Sequence, residues 1–207
     1  MVKSVDHMQK LFDAPWKVTN HLKRWMIYPY IRILFSLNKI AWGKNWRIFG
    51  VPIIQKHSYS MIRIGHSLSL RSNVSSNPLG PNHPVILCTW QANASLEIGD
   101  CFGMTGGILC AAEQISIGNN VNIGANSSVI DTDFHPLDPE MRKRSPQEAA
   151  TAPIVIEDDV FVGMNCIILK GVTIGRLSVI GAGSVVTHDV PSGVIVAGNP
   201  AKVIREL

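Results

Sequence analysis

Aliphatic side chains recur at every sixth position over a long stretch of the chain. From residue 156 onward they follow without interruption at Ile156, Val162, Ile168, Ile174, Ile180 and Val186. Neither an α-helix, with a period of about 3.6 residues, nor an isolated strand, with a period of about 2, produces this spacing. A six-residue period is typical of a solenoid in which each hexad forms one short strand and one turn. The chain is therefore predicted to be an all-β solenoid, and a sandwich with Gly-rich turns is the less favoured alternative.

The same period occurs upstream, in two registers that differ by one residue. One contains Ile117, Ile123 and Val129; the other contains Ile86, Ala92, Ile98, Met104 and Cys110, with Trp90, Leu96 and Phe102 at a common offset inside the coil. Glycine follows many repeat starts, as Gly118 follows Ile117, which suits a sharp corner or a positive φ. Ile64 and Leu70 mark a first partial coil. We therefore place the solenoid at residues 59–207 and a separate N-terminal segment of one or two helices at residues 1–58.

Composition and cysteine usage indicate one globular unit. The chain is 46% hydrophobic and 16% charged, which is ordinary for a folded domain. The apolar stretch 25–37 is too short to span a bilayer, and no secretory signal is recognised at the start. Cys88, Cys101, Cys110 and Cys166 form no CxxC pair. This pattern favours core cysteines and a reduced, cytoplasmic setting.

Positive charge is concentrated in the non-repetitive start of the chain. Residues 1–60 contain ten Lys and Arg against two Asp, whereas residues 61–207 contain nine Lys and Arg against thirteen Asp and Glu. The basic residues alternate with aromatic ones such as Trp25 and Tyr30. We expect this segment to cap the open end of the solenoid or pack against another subunit. Peripheral contact with an anionic membrane is the alternative, and the acidic remainder argues against nucleic-acid binding.

The hexads break at residues 131–153, and the residues at the break suggest chemistry. Asp131 and Asp133 precede His135, and the polar, Pro-rich residues 136–153 are predicted to form a loop extruded from the solenoid. An imidazole titrates near neutrality and can take a proton from a hydroxyl group. A neighbouring carboxylate can hold the ring in one tautomer. In the running register Asp133 occupies an inward type of position and Asp131 an outward one.

Taken together, these features resemble the hexapeptide-repeat acyltransferases, especially the branch of maltose, galactoside, nodulation-factor and colanic-acid acetyltransferases. The resemblance covers roughly residues 60–207. It rests on the hexads, on the motif from His135 to Pro139 with Arg142 three residues further, and on the tail at 198–204. It implies a single-stranded left-handed parallel β-helix with one extruded loop. It also implies a homotrimer whose active sites lie between subunits.

The resemblance further implies an O-acetyltransferase that transfers acetyl from acetyl-CoA to a hydroxyl of a sugar or nascent glycan. In that reaction His135 would be the general base, with Asp131 or Asp133 orienting its ring. The positions that match the CoA site of the family are Gly163, Ala182, Thr187 and Lys202.

The acceptor positions depart from the family pattern. The asparagine that helps to hold small sugars is replaced by Met104, and the tryptophan expected near Phe161 is absent. We therefore assign Met104 and Arg142 to the acceptor site and expect a nascent glycan or lipid-linked saccharide, at the inner face of the membrane.

Other activities in the same fold are less favoured or left open. Solenoids of the γ-carbonic anhydrase type bind zinc through a pair of histidines with four residues between them, and no such pair exists here. We therefore predict no metal requirement. Acyl transfer to the amine of an amino sugar or to an amino acid such as serine remains an alternative, as does a non-catalytic scaffold.

Overall fold

Short parallel strands wind around a single axis in the computed structural model, which describes residues 14–207. The chain visits three flat sheets in turn, so the cross-section is a triangle, and each circuit adds one strand to each sheet. The predicted all-β solenoid is confirmed. The part of the predicted N-terminal segment at residues 1–13 lies outside the described residues.

Each side of the triangle is one sheet, named A, B or C. Sheet A contains β1 (Arg47–Phe49), β4 (Ser69–Arg71), β7 (Gly103–Thr105), β10 (Asn122–Ile123), β13 (Phe161–Val162), β16 (Val179–Ile180), β18 (Val194–Gly198) and the antiparallel β19 (Ala201–Glu206). Sheet B contains β2 (Ile53–Lys56), β5 (Ile86–Thr89), β8 (Ile108–Ala111), β11 (Ser128–Ile130), β14 (Ile167–Ile168) and β17 (Val185–Val186). Sheet C contains β3 (Met61–Ile64), β6 (Ser95–Ile98), β9 (Gln114–Ile117), β12 (Ile154–Ile156) and β15 (Thr173–Ile174).

The inward side chains of these strands form the core. The predicted repeat starts from Ile156 to Val186 are all buried, with at most 1% of their surface exposed. Their registers pair like with like: Val129 lies beside Ile168 in sheet B, and Ile156 beside Ile174 in sheet C. β-Branched side chains stacked in this way fill the triangle coil by coil.

The upstream register is wrong at Ile86 and Ala92, whereas Ile98 and Met104 of the same register are core residues. β5 pairs with β8 so that Leu87 lies beside Leu109, and strand alternation then turns Ile86 away from the core. Ala92 is exposed because it lies in the turn that leads out of this strand.

Glycine and asparagine occupy different positions at the corners of the coils. Gly118 does not have a positive φ; instead a Cβ there would lie only 2.8 Å from the backbone nitrogen of Asp158 on the next coil. The positive φ falls two residues later, at Asn120 with φ 57° and equivalently at Asn126 with φ 61°. Asparagine tolerates this region better than most residues. The positive φ expected at the glycine is therefore wrong for Gly118, where the close approach of the neighbouring coil leaves no room for a Cβ.

The solenoid begins at Arg47, ahead of the expected boundary at residues 58–59. The strand β1 pairs with β4, and β2 and β3 complete the first coil. Helix α1 (Pro15–Leu37) precedes this coil and buries Ile31 and Phe35 in the hydrophobic core. The ring of Phe35 packs edge-on against Trp42 and Trp46, at centroid distances of 5.7 and 5.4 Å. One face of α1 therefore caps the open end of the core.

The opposite face of α1 carries large apolar side chains exposed to solvent, namely Leu22, Trp25, Met26, Tyr30, Ile33 and Leu37. Trp25 is 79% exposed. Lys23 and Arg32 border this face. None of the helices between residues 14 and 207 has the length and hydropathy needed to cross a bilayer.

Candidate active site

His135 lies where the chain leaves sheet B after β11. Its backbone N–H donates to the carbonyl oxygen of Asp133 at 2.7 Å, and the intervening Phe134 has a φ of 60°. This is a γ-turn with a positive φ at a bulky residue, a conformation of higher energy that concentrates at functional sites. The turn directs the chain outward and leaves His135 exposed at the base of the extruded loop.

Asp133 forms an ion pair with a residue from the next coil. The Nζ atom of Lys170, which follows β14, lies 2.8 Å from Oδ1 of Asp133, and both side chains are largely buried. The second oxygen, Oδ2, is buried and has no hydrogen-bond partner among residues 14–207. Since a buried acceptor without a donor is costly, this oxygen is available for a further hydrogen bond.

Asp131 has a different environment. It is fully buried, and its carboxylate accepts hydrogen bonds from the backbone N–H groups of Ala112, Glu113 and Gln114, at 2.6, 2.9 and 2.8 Å. The expected outward position of Asp131 is therefore wrong: the coil below closes over its side chain. Burial raises the pKa of Asp131, although these three donors act in the opposite direction. Both carboxylate oxygens of Asp131 are hydrogen-bonded to the turn at 112–114. Of the two aspartates, only Asp133 therefore has a carboxylate oxygen free to accept a hydrogen bond near the turn that carries His135.

The extruded loop contains a short helix, α2 (Pro139–Arg144), which Asp138 caps by accepting from the N–H of Met141 at 2.8 Å. The guanidinium of Arg142 donates back to the carbonyl oxygens of Pro136 and Leu137, at 3.2 and 3.3 Å. Arg142, predicted to contact the acceptor, thus fastens the two residues that follow His135.

Two exposed aromatic rings flank the turn and were missed from the sequence. The ring centroids of Trp90 and Phe134 lie 6.1 Å apart in an edge-on arrangement, and Trp90 is 57% exposed. Trp90 was expected at a core offset with Leu96 and Phe102, but the irregular register of β5 places it outside. The small residues Ala111 and Ala112 stand on the next coil beside it. An exposed tryptophan in a loop-free part of the solenoid was the available signal.

The residues predicted to bind CoA fall in three places. Gly163 and Ala182 stack on adjacent coils at the corner between sheets A and B, where a Cβ on Gly163 would lie 2.5 Å from the backbone nitrogen of Ala182. Gly124 stands below them, since a Cβ there would lie 2.5 Å from Gly163 C. The three residues form a strip of backbone without long side chains, which we call the small-residue strip.

Thr187 lies apart from the small-residue strip, whereas Lys202 lies beyond its end. Thr187 follows β17 and is therefore at the corner between sheets B and C, the same corner as His135; its hydroxyl lies 2.8 Å from Nδ1 of His188. Lys202 is exposed on β19, where it pairs with Ala197 in the terminal hairpin.

Met104, predicted to contact the acceptor, is a core residue. It is 2% exposed and lies between Leu70 and Ile123 in the inward column of sheet A. Its side chain cannot reach a ligand at the surface, so this assignment is wrong. No group of three or more His, Cys, Asp or Glu side chains suited to hold a metal ion is present in the described part of the chain.

Comparisons with known proteins agree with this architecture. The family model described as hexapeptide repeat of succinyl-transferase matches residues 114–130 and 153–188. A putative acetyltransferase of Schizosaccharomyces pombe is 48% identical over 93 residues, and the galactoside O-acetyltransferase of Escherichia coli is 46% identical over 93 residues. Each match covers 45% of this chain and 44% of the relative, so it spans less than half of either protein.

A solved structure extends the likeness to almost the whole chain. A galactoside acetyltransferase in complex with coenzyme A superposes with a TM-score of 0.54 and 26% identity, over 92% of this chain and 82% of that one. The left-handed parallel β-helix expected from the resemblance is the fold of these acetyltransferases, and that prediction is confirmed. The chain contains hexapeptide repeats, shares the fold of a galactoside acetyltransferase, and is similar over less than half of its length to galactoside O-acetyltransferases.

Proposed function

We propose that this protein transfers an acetyl group from acetyl-CoA to a hydroxyl group of a sugar or nascent glycan. The observation that carries the proposal is the exposed side chain of His135, whose backbone is held in a γ-turn by the carbonyl oxygen of Asp133 at a corner of the β-helix. A base at a loop exit, accessible to a bulky acceptor, suits a reaction that deprotonates a hydroxyl group.

The reaction requires one base and no cofactor beyond the donor. The imidazole of His135 takes the proton from the acceptor hydroxyl as its oxygen attacks the thioester carbonyl carbon. The tetrahedral intermediate collapses with cleavage of the C–S bond, and the departing CoA sulfur receives the proton from the imidazolium. Oδ2 of Asp133, which has no partner within the described part of the chain, would accept a hydrogen bond from the other ring nitrogen when the imidazolium forms and would stabilise its charge. General-base catalysis of this kind contributes about 10²- to 10⁴-fold.

Acetyl-CoA is proposed to lie along the small-residue strip. A pantetheine arm is extended and needs close approach to backbone, which Gly124, Gly163 and Ala182 permit. Lys202, exposed at the end of the same side of the solenoid, is placed to meet the CoA phosphates.

The acceptor is proposed to stack on Trp90 and Phe134. The apolar faces of sugar rings pack well against aromatic side chains, and both rings are exposed next to His135. Met104 is buried in the core, and Arg142 is hydrogen-bonded to the loop. We therefore assign acceptor binding to Trp90 and Phe134 instead of these two residues.

We propose that the protein is a homotrimer, because the proposed base and the proposed CoA site lie at different corners of one subunit. His135 is at the corner between sheets B and C, whereas the small-residue strip is at the corner between sheets A and B, across the width of sheet B. A second copy packed beside sheet B would bring its own strip to His135, and three copies would close the ring. Each active site would then combine two subunits.

We further propose that the exposed face of α1 lies on an anionic membrane surface, at its cytoplasmic side. Trp25 and Tyr30 are aromatic residues of the kind that settle at the lipid interface, and Lys23 and Arg32 border them. The helix carries no acidic residue, so its charge complements anionic lipids. Acetyl-CoA and a lipid-linked glycan would meet at that surface.

The donor can be tested without knowledge of the acceptor. We expect titration calorimetry to show saturable binding of acetyl-CoA, with an affinity in the micromolar to millimolar range that is usual for substrates. Mass spectrometry of a panel of galactosides, glycans and amino sugars would then identify the acetylated product. Absence of binding by the folded protein would contradict the proposal, and acetylation confined to amines would replace the hydroxyl acceptor with an amine.

The base assignment is tested by His135→Ala, with His66→Ala as the matched control, since both histidines are exposed and His66 lies at the corner between sheets C and A. We expect His135→Ala to retain its melting temperature and acetyl-CoA affinity but to lose at least about 100-fold in kcat. Wild-type turnover in this variant would contradict the assignment.

A further inference from the structure

The outer face of sheet A carries a positively charged hollow that takes no part in the proposed chemistry. Arg47 of β1 lies in register with Ser69 of β4, and Arg71 is two residues further along β4. Their Cα atoms are therefore about 8 Å apart on the same face, given the spacing of strands and residues in a sheet. The hollow has a volume of about 420 Å³.

Gly103, which has no side chain, lies at the base of this hollow. Gly103 follows Ser69 in the same column, and the side chain of Asn122 from the next coil lies across it, since a Cβ on Gly103 would lie 2.5 Å from Oδ1 of Asn122. Ser69 and Asn122 therefore line the hollow together with Arg47 and Arg71. These are hydrogen-bonding groups that suit a polar ligand rather than an apolar one.

Aromatic packing holds the arginine side chains in place. The guanidinium carbon of Arg71 lies 4.8 Å from the ring centroid of Phe49, and that of Arg24, from helix α1, lies 5.4 Å from the same centroid. Arg71 also donates to the carbonyl oxygen of Ser76. Stacked guanidinium groups of this kind lose little freedom on binding a ligand.

The charge of the cluster is uncompensated within the described chain. The ion pairs found among residues 14–207 are Lys143–Glu140 and Lys170–Asp133, so none of the three arginines has a carboxylate within 4.0 Å there. Burial and then the charge of Arg47 lower the pKa of Arg71. The pKa of His21, whose ring packs 5.6 Å from Phe49, is also lowered, first by burial and then by Arg24, Arg71 and Arg47.

A bound anion would relieve the electrostatic repulsion between these arginine side chains. Guanidinium groups bind phosphate through paired N–H donors, and two of them on one face match a diphosphate better than a single carboxylate. We infer that Arg47 and Arg71 bind the phosphate or diphosphate group of the acceptor, so that the acceptor is a phosphate-linked glycan. The identification of the ligand as the acceptor rests on the proposed function, whereas the binding of phosphate by this site does not depend on it.

Two sources share this chemistry: a nucleotide sugar and a polyprenyl diphosphate sugar. Arg24 connects the hollow to helix α1, whose outer face is proposed to contact lipid. In a polyprenyl diphosphate sugar, the diphosphate would occupy the hollow and the lipid would lie at the outer face of α1.

The first experiment measures inorganic pyrophosphate binding by calorimetry, in the wild-type protein, in the double variant Arg47→Gln/Arg71→Gln, and in Arg63→Gln as the control. Arg63 is an arginine on sheet C, remote from the hollow. We expect the double variant to bind pyrophosphate at least about tenfold more weakly, with the control unchanged and CoA affinity unchanged in all three. Equal pyrophosphate affinity in the three proteins would overturn the inference, and so would a loss of CoA affinity confined to the double variant.

A second measurement uses the wild-type protein alone, which keeps the inference testable if the double variant does not fold. The pKa of His21, followed by NMR, is expected to rise when pyrophosphate binds, because the anion offsets the guanidinium charges that lower it. An unchanged titration at saturating pyrophosphate would count against the site.

Competition identifies the source of the phosphate. We expect pyrophosphate to be displaced by a uridine diphosphate sugar or by a short-chain polyprenyl diphosphate sugar, and displacement by either supports the diphosphate chemistry. Displacement by neither would overturn the acceptor assignment. None of these readouts depends on acetyl transfer, so a failure of the His135 base assignment would leave this result intact.

Discussion

Lys170 and Asp133 are joined across two coils of the β-helix, with Nζ 2.8 Å from Oδ1, and the other carboxylate oxygen is left buried without a partner. The ion pair fixes the carboxylate while half of its capacity as an acceptor stays open. His135 follows two residues later, and its backbone is already hydrogen-bonded to Asp133. The arrangement is that of a positioning residue whose own orientation is set by a neighbour.

Replacement of Asp133 by asparagine should therefore reduce catalysis without unfolding the protein. We expect Asp133→Asn to lower kcat by about 10- to 100-fold, because the carboxylate that would stabilise the imidazolium during the reaction is lost. Steady-state kinetics measure kcat, and calorimetry should show an unchanged affinity for acetyl-CoA. A parallel loss of acetyl-CoA affinity would indicate a purely structural role.

Asp131 should show the opposite behaviour. Its carboxylate accepts from three backbone N–H groups, and an asparagine amide nitrogen cannot accept from the two that converge on Oδ2. We expect Asp131→Asn to lower the free energy of unfolding by about 2–3 kcal/mol, with near wild-type kcat in the protein that remains folded. Denaturant titration measures the first effect. Asp189→Asn is the matched control, since that exposed carboxylate accepts from the N–H of Thr173 and should cost under about 1 kcal/mol.

Substitution of Trp90, which forms the aromatic pair with Phe134, should weaken binding of the acceptor but not of acetyl-CoA. We expect Trp90→Ala to raise the KM for the acceptor by about 3- to 10-fold, the range of one aromatic contact, while the affinity for acetyl-CoA is unchanged. Trp90→Phe should recover most of the loss because it restores a ring at the same place. A matching rise in the dissociation constant of acetyl-CoA would move Trp90 to the donor site.

Subunit mixing tests whether each active site is shared. His135→Ala removes the base, and Ala182→Trp blocks the small-residue strip, so each variant alone should be inactive. Co-expressed in equal amounts and randomly mixed, they should recover about a quarter of wild-type activity, since that fraction of sites receives an intact base and an intact strip from different subunits. No recovery in a confirmed mixed trimer would place the whole site within one chain.

The six-residue period predicted the inward register from Ile156 to Val186 and the place where the chain leaves the solenoid, because both follow from which side chains must be buried. It did not distinguish Asp131 from Asp133. That distinction depends on contacts between coils: Asp131 reaches the turn at 112–114, and Asp133 reaches Lys170 on the far side of the extruded loop. Sequence spacing does not report such contacts once a loop of irregular length intervenes.

Trp90 was misplaced because it follows β5, a strand longer than those of the regular hexads, so the repeat start there does not fix which side faces the core. The pairing of β5 with β8, a property of the folded chain, places Trp90 at the surface. Met104 is a different case: its repeat position predicted an inward side chain, as the structure has it, and its acceptor role came only from the family resemblance.

The exposed face of α1 predicts binding to anionic vesicles. We expect the wild-type protein to co-sediment with vesicles that contain phosphatidylglycerol, more strongly at low salt than at high salt, since the basic residues contribute through screened attraction. The double variant Trp25→Glu/Ile33→Glu should lose this binding because it places two negative charges in the apolar face while the buried Ile31 and Phe35 are untouched. Leu177→Glu, on an exposed turn between β15 and β16, is the control. If the double variant instead changes the oligomeric state measured by light scattering and retains vesicle binding, the face contacts another copy of the chain and the membrane proposal is wrong.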